Sequence, residues 1–293
     1  MIEILPHQSS ESDVIKETQD DLSRLREQIN DYDFLTNERL KQALENYDGS
    51  WTLNLSHMDI TDDDLFYASS KIASLQGVVI IDLSYNRLEI FWSANDPILT
   101  GCSKLHQLDL SHNAIIEFNS NFIDKKTAAS LQILNLDNNG DQENGDFLDS
   151  IRNLHVFKNL KRLSAQNNNL NANSFFQRYD NKYRLTSLES LYLKGNHIVN
   201  MDRLRMFPGL QILDVRENDF FKLSLLWLGS WELSKSVLTP PWAAFTGISK
   251  IHLKKLYLDE LILNDLEFLM SIIDGGQEVL EMRDKKGMQL QAN

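Results

Sequence analysis

The chain has 293 residues, 42% of them hydrophobic and 24% charged, a balance that excludes general disorder, a collagen-like rod and a coiled coil as the whole answer. Lys and Arg number 29 against 42 Asp and Glu, for a net charge of −13. Such a surface repels phosphate backbones and anionic bilayers, so neither nucleic acid nor a membrane is expected as the main partner.

One cysteine, Cys102, rules out an intrachain disulfide and suits a reducing compartment. The opening MIEILPHQSSESD has no cationic start followed by an apolar run, so it does not read as a secretory signal. The most apolar run, Phe220 to Leu228, contains Lys222 and is far below the roughly 20 residues that span a bilayer. The expected location is cytoplasmic.

In chain order, helices come first. Ile15, Leu22, Leu25 and Ile29 recur at helical spacing behind Ser12 or Asp13 as N-cap. A second helix is expected from Thr36, with Leu40, Ala43, Leu44 and Tyr47 on one face. Residues 1–48 thus read as an N-terminal helical cap. An adaptor-type helical motif such as an F-box is the other reading, but the segment is short and covering the next element accounts for its apolar residues.

From Gly49 to Phe220 one frame recurs: apolar-x-x-apolar-x-apolar-x-x-Asn-x-apolar. It is clearest in LHQLDLSHNAI, VVIIDLSYNRL, LESLYLKGNHI and LQILDVRENDF. LKRLSAQNNNL places Ala165 in the third apolar slot, LQILNLDNNGD ends on Asp141, and SWTLNLSHMDI carries Met58 in place of Asn. The Asn slot falls at positions 58, 86, 113, 139, 168, 196 and 218, spacings of 28, 27, 26, 29, 28 and 22. The alternation in Leu108-Asp109-Leu110 is that of a short strand with one buried face. So short a strand needs stacked neighbours to bury a continuous core. A buried amide in the Asn slot can satisfy backbone groups where the chain turns inward. Met58 can pack but cannot bond in this way, which marks the first copy as an end repeat. Thr61 to Ser74 reads as a helix on the opposite side, with Thr61 as N-cap and acids at its start.

Beyond Phe220 the frame stops. Trp227, Trp231 and Trp242 cluster, and Pro240-Pro241 breaks any helix. One more strand is expected around Ile248, Ile251 and Leu253, then a helix to about Ile273 before Gly275-Gly276. Residues 221–293 read as a C-terminal Trp/Leu-rich cap with a mobile tail. The alternative is a Trp-rich lobe that binds a partner.

The repeated frame resembles the leucine-rich repeat family over residues 49–220. That resemblance implies an α/β fold: a right-handed leucine-rich repeat solenoid (horseshoe) of about seven repeats, with a parallel concave sheet and helical caps. The spacings of 26 to 29 are similar to the long ribonuclease-inhibitor type and the last to the shorter intracellular type. Irregular repeats of this length also resemble those of effectors from intracellular bacterial pathogens. That would place the chain inside a host cell, translocated without a classical signal peptide.

No P-loop, GxGxxG, HExxH, GxSxG or CxxC pattern is present, so no enzyme activity, cofactor or metal site is expected. Cys102, just ahead of a strand, reads as a small buried residue. Asp62 to Asp64 suit a helix start better than a calcium site, and NGDQENGD lacks the EF-hand frame.

Aligning the copies assigns side chains to the concave face. Acids dominate its middle (Asp82, Asp109, Asp137) and bases gather toward its C-terminal half (Lys161, Arg162, Lys194, Arg216), with Tyr85, His112 and Tyr192 interleaved and Asp214 beside Arg216. These ten, Lys161 aside, are the expected partner-binding residues. The family resemblance and this dipolar face imply a non-catalytic module, a monomer by itself, that binds and regulates (most simply inhibits) a protein partner. The competing expectation is a structural adaptor that holds a second protein through its N-terminal helices.

Overall fold

A computed structural model describes residues 34–75, 77–89, 99–141, 146–148, 150–171, 184–199 and 204–219, together with strand residues 255–257, 282–283 and 289–290. The first expected helix, the Trp cluster and the helix toward Ile273 lie outside the described residues.

Helix α1 (Glu38–Glu45) starts behind Asn37, whose Oδ1 accepts the Leu40 N–H at 3.1 Å. The Asn37 amide also donates to the Met58 carbonyl at 3.1 Å. The same side chain therefore caps the helix and fastens it to the first repeat, while Leu40 and Leu44 bury themselves against the core. Helix α2 (Asp62–Ser74) carries the cap expected at Thr61, and Asp64 reaches back to complete a capping box.

The repeats each contribute one strand of three residues. These are β1 (Thr52–Asn54), β2 (Ile80–Asp82), β3 (Gln107–Asp109), β5 (Ile133–Asn135), β9 (Arg162–Ser164), β10 (Ser190–Tyr192) and β11 (Ile212–Asp214). They pair in parallel without a slip, so Thr52, Ile80, Gln107, Ile133, Arg162, Ser190 and Ile212 stand in one row. The row is the one obtained by aligning the copies. An eighth strand, β12 (Lys255–Tyr257), joins β11 and completes the order β1-β2-β3-β5-β9-β10-β11-β12. It lies beyond the Ile248 to Leu253 stretch expected to form it. Leu253-x-x-Leu256-x-Leu258 is the strand frame again, with Leu261 where the Asn would stand.

The side opposite the sheet is more varied than helices alone. Besides α2 and the short α3 (Lys125–Ser130), it holds 3-10 turns at Ser120–Phe122, Leu154–Val156 and Leu204–Met206. It also holds a second parallel pair, β4 (Glu117–Asn119) with β8 (Ser150–Arg152). A hairpin of β6 (Gly140–Asp141) and β7 (Asp146–Phe147) leaves the fourth repeat where the NGDQENGD loop was expected. Met282–Arg283 (β13) and Gln289–Leu290 (β14) pair antiparallel within the C-terminal stretch read from sequence as mobile.

Between the two sides runs one core. Leu53, Ile81, Leu108, Leu134, Leu163, Leu191 and Leu213 form a column of buried side chains, and Leu55 through Val215 form a second. Burial of each such side chain stabilises the fold by about 1.5–3 kcal/mol. Phe118, Phe122 and Phe157 fill the outer side, with Phe118 edge-on to Phe122 at 5.2 Å.

Candidate functional site

The strand face is held in shape by the residues that follow each strand. Asn86 Oδ1 accepts the N–H groups of Met58 and Ile60 at 3.0 Å each, and its amide donates to the carbonyls of Leu55, Leu83 and Ser84. Asn113, Asn196 and Asn218 repeat the arrangement, each bonding its own turn and the turn before it. Every rung thus ties two successive copies of the frame together through backbone that would otherwise be buried unpaired.

The architecture is a leucine-rich repeat solenoid.

Its Asn ladder has one irregular rung. Asn139 Oδ1 is buried without a partner among the described residues. The hairpin follows at once, and Asn168 Oδ1 accepts the Asn139 N–H at 2.7 Å.

One position ahead of the Asn slot, the solenoid adopts left-handed backbone at every described repeat. His57, Tyr85, His112, Asn138, Asn167, Gly195 and Glu217 all have positive φ, between 52° and 69°. Their N–H groups continue the inter-repeat bonding past the strands: His57 to the Ser84 carbonyl, Tyr85 to Ser111, His112 to Asp137, Asn138 to Gln166, Asn167 to Lys194 and Gly195 to Arg216. Identical backbone at each rung sets the side chains side by side as a ridge. The Tyr85 ring lies between His57 (4.3 Å, 13°) and His112 (4.0 Å, 7°). Asn138 Nδ2 then donates to His112 Nε2 at 3.2 Å, and Asn167 Nδ2 to Asn138 Oδ1 at 3.0 Å. Next comes Gly195, where a Cβ would fall 2.4 Å from Asn167 Oδ1. The missing side chain is what lets the amide row end there.

The acids of the strand face work on the solenoid itself. Asp82 Oδ1 accepts the N–H and hydroxyl of Ser84 at 2.9 and 2.7 Å, and Asp109 does the same for Ser111. Asn54 and Asn135 make the corresponding turn in their own repeats. Ser164 is too short to cap its turn. Asp137 of the preceding repeat does so instead, accepting the Gln166 N–H at 2.6 Å and the Ser164 hydroxyl at 2.7 Å. Asp214, an expected docking residue, is only 3% exposed, and its two oxygens face the Nε and terminal nitrogen of Arg216. Lys194 pairs with Glu217 at 3.2 Å.

Two of the expected residues stand out by access. Tyr85 is 48% exposed, although both ring faces are covered by imidazoles. Arg162 is exposed and lies over the Tyr192 ring, its guanidinium carbon 4.6 Å from the centroid. The ridge was legible as a shared slot, and Asn, Gly and His within it were the signal of left-handed backbone. Turns of the Asp-x-Ser kind were legible too, at Asp82 and Asp109.

Cys102 is half-buried, and burial followed by the nearby Asp124 carboxylate pushes its thiol up to about 11. It is a protonated packing residue at neutral pH. Among the described residues no three His, Cys, Asp or Glu side chains are grouped to hold a metal ion. No helix among them is long and apolar enough to cross a membrane.

No family model matches the chain, and no curated protein matches it. Similar solved structures include an internalin (InlF) from Listeria monocytogenes, at 18% identity and TM-score 0.43 over 74% of this chain and 57% of the internalin. This chain therefore spans little more than half of that protein. An internalin C2 from the same bacterium gives 20% identity and TM-score 0.36 over 75% of this chain and 90% of that one. A TLR13–ssRNA13 complex gives 19% and 0.45 over 76% and 30%.

Proposed function

We propose that this leucine-rich repeat solenoid is a non-catalytic module that binds another protein across its strand face and left-handed ridge. The observation that carries the reading is the His57–Tyr85–His112 stack. An exposed tyrosine normally loses rotamer freedom on docking. Here its neighbours already hold the ring, so a partner meets a large ordered surface at low entropic cost. A protein suits this face better than a nucleic acid: the chain carries −13 net charge, and Lys194 and Arg216 already face carboxylates. The finer reading is that binding regulates, and inhibits, a partner enzyme, with the chain acting as a bacterial effector delivered into a host cell. The irregular repeat lengths and the lack of a recognised catalytic motif support it. The adaptor alternative has less behind it, because Asn37 fastens α1 to the first repeat as an end cap.

The test is capture of a partner by the full chain, followed by titration of the purified pair. Tyr85→Ala is expected to weaken binding roughly thirtyfold, about 2 kcal/mol, the scale of an aromatic anchor at an interface centre. Affinity unchanged in both Tyr85→Ala and Tyr192→Ala would remove the strand face from the binding site.

A further inference from the structure

The bases of the C-terminal repeats are not equivalent. Lys194 and Arg216 each have a carboxylate within the fold, Glu217 and Asp214. Arg162 has none among the described residues. The nearest acids on neighbouring rungs are otherwise disposed: Asp137 caps the turn of Gln166, Asp214 lies under Arg216, and Glu189 makes no ion pair with Arg162 although it precedes Ser190, the strand partner of Arg162. What Arg162 has instead is a platform. Its guanidinium carbon stands 4.6 Å over the centre of the Tyr192 ring, a cation–π contact that restrains a long side chain while the residue as a whole remains exposed.

We propose that Arg162 is a receptor for a single carboxylate, an Asp or Glu side chain on the protein partner, seated between the fifth and sixth repeats. The proposal rests on the protein-binding reading above and gives it a chemistry at one point. A guanidinium restrained over an aromatic ring has less rotamer freedom to lose when it makes two parallel N–H···O bonds to a carboxylate. A phosphate dianion fits less well. It draws on several cations at once, and Lys194 and Arg216, two of the three other bases assigned to this half of the face, are already paired with carboxylates in a chain of strongly negative net charge, which leaves Lys161 alone beside Arg162.

The experiment follows the Arg162 Nε–Hε resonance of the full-length protein by NMR, assigned with Arg162→Lys. The probes are three Gly/Ser host peptides that carry glutamate, glutamine or phosphoserine at one position. The expected result is a saturable shift with the glutamate peptide, at least fivefold larger than with glutamine at equal concentration. Read in the variants through the backbone amide shifts of Leu163 and Leu191, binding should be lost in Arg162→Lys and weakened severalfold in Tyr192→Leu. It should be unchanged in Lys126→Ala, a variant on the opposite side of the solenoid. An equal response to glutamine, tighter binding of phosphoserine, no response to any peptide, or survival of binding in Arg162→Lys would each overturn the proposal. If it falls while Tyr85→Ala still weakens partner binding, the protein-binding reading stands without it.

Discussion

Replacing Asn86 with alanine is expected to lower the unfolding free energy by about 3 kcal/mol, because the Met58 and Ile60 N–H groups and the Leu55 carbonyl lose their partner at once. Asn86 is the most heavily bonded rung described, accepting from Met58 and Ile60 and donating to three carbonyls. The first repeat has Met58 where an amide would otherwise help, so Asn86 alone ties that repeat to the next through this ladder. Solenoids are coupled only between neighbours, and the damage should therefore be local. Urea titration reads the total, and amide hydrogen exchange should show protection lost over Thr52 to Ile60 first. A loss below about 1 kcal/mol would mean that water satisfies those carbonyls, and that the ladder orders the turn without holding it.

Phe118→Ala is expected to cost more, about 4 kcal/mol, the upper part of the range for emptying a fully buried aromatic site. Phe118 belongs to β4, which pairs with β8 one repeat on, and its ring packs against Phe122 and Phe157. Among the described residues few helices brace the outer side of the third and fourth repeats, so this aromatic cluster helps hold them at their spacing. Phe118→Leu should recover most of the loss, leaving about 1.5 kcal/mol. Thermal unfolding of the two variants measures the difference. Equal destabilisation by both would point to a specific ring contact and away from volume.

Much of this was legible in the sequence, for a physical reason. A strand with one buried face must alternate, and a buried turn must have an amide, so Leu-x-Leu followed by Asn fixes register as well as element type. The register of the seven strands follows from it, while the cap at Thr61 was legible from a threonine ahead of three acids. The same template put β12 too early, around Ile248 to Leu253, since Leu261 stands in the Asn slot and the recognisable polar mark is gone. It did not show what the acids of the face are bonded to, nor that Asp214 is buried. Which way a carboxylate turns depends on what lies two residues on. Ser84 and Ser111 hold Asp82 and Asp109 in local turns, whereas Arg216 draws Asp214 out of solvent. The stacking of His57, Tyr85 and His112 needed the backbone as well, because only a shared left-handed conformation brings rings from separate repeats face to face.

The irregular rung at Asn139 bears on how the molecule would yield under tension. At Asn86, Asn113, Asn196 and Asn218 the seams between coils are stitched by amides bonded through both oxygen and nitrogen, but here one stitch is dropped beside the inserted hairpin. Pulled from its two ends, the coil should tear first at this seam, releasing one block while the other stays wound. An optical-trap extension curve should then rise in two steps, and a single all-or-none rip would show that the seam is as strong as its neighbours.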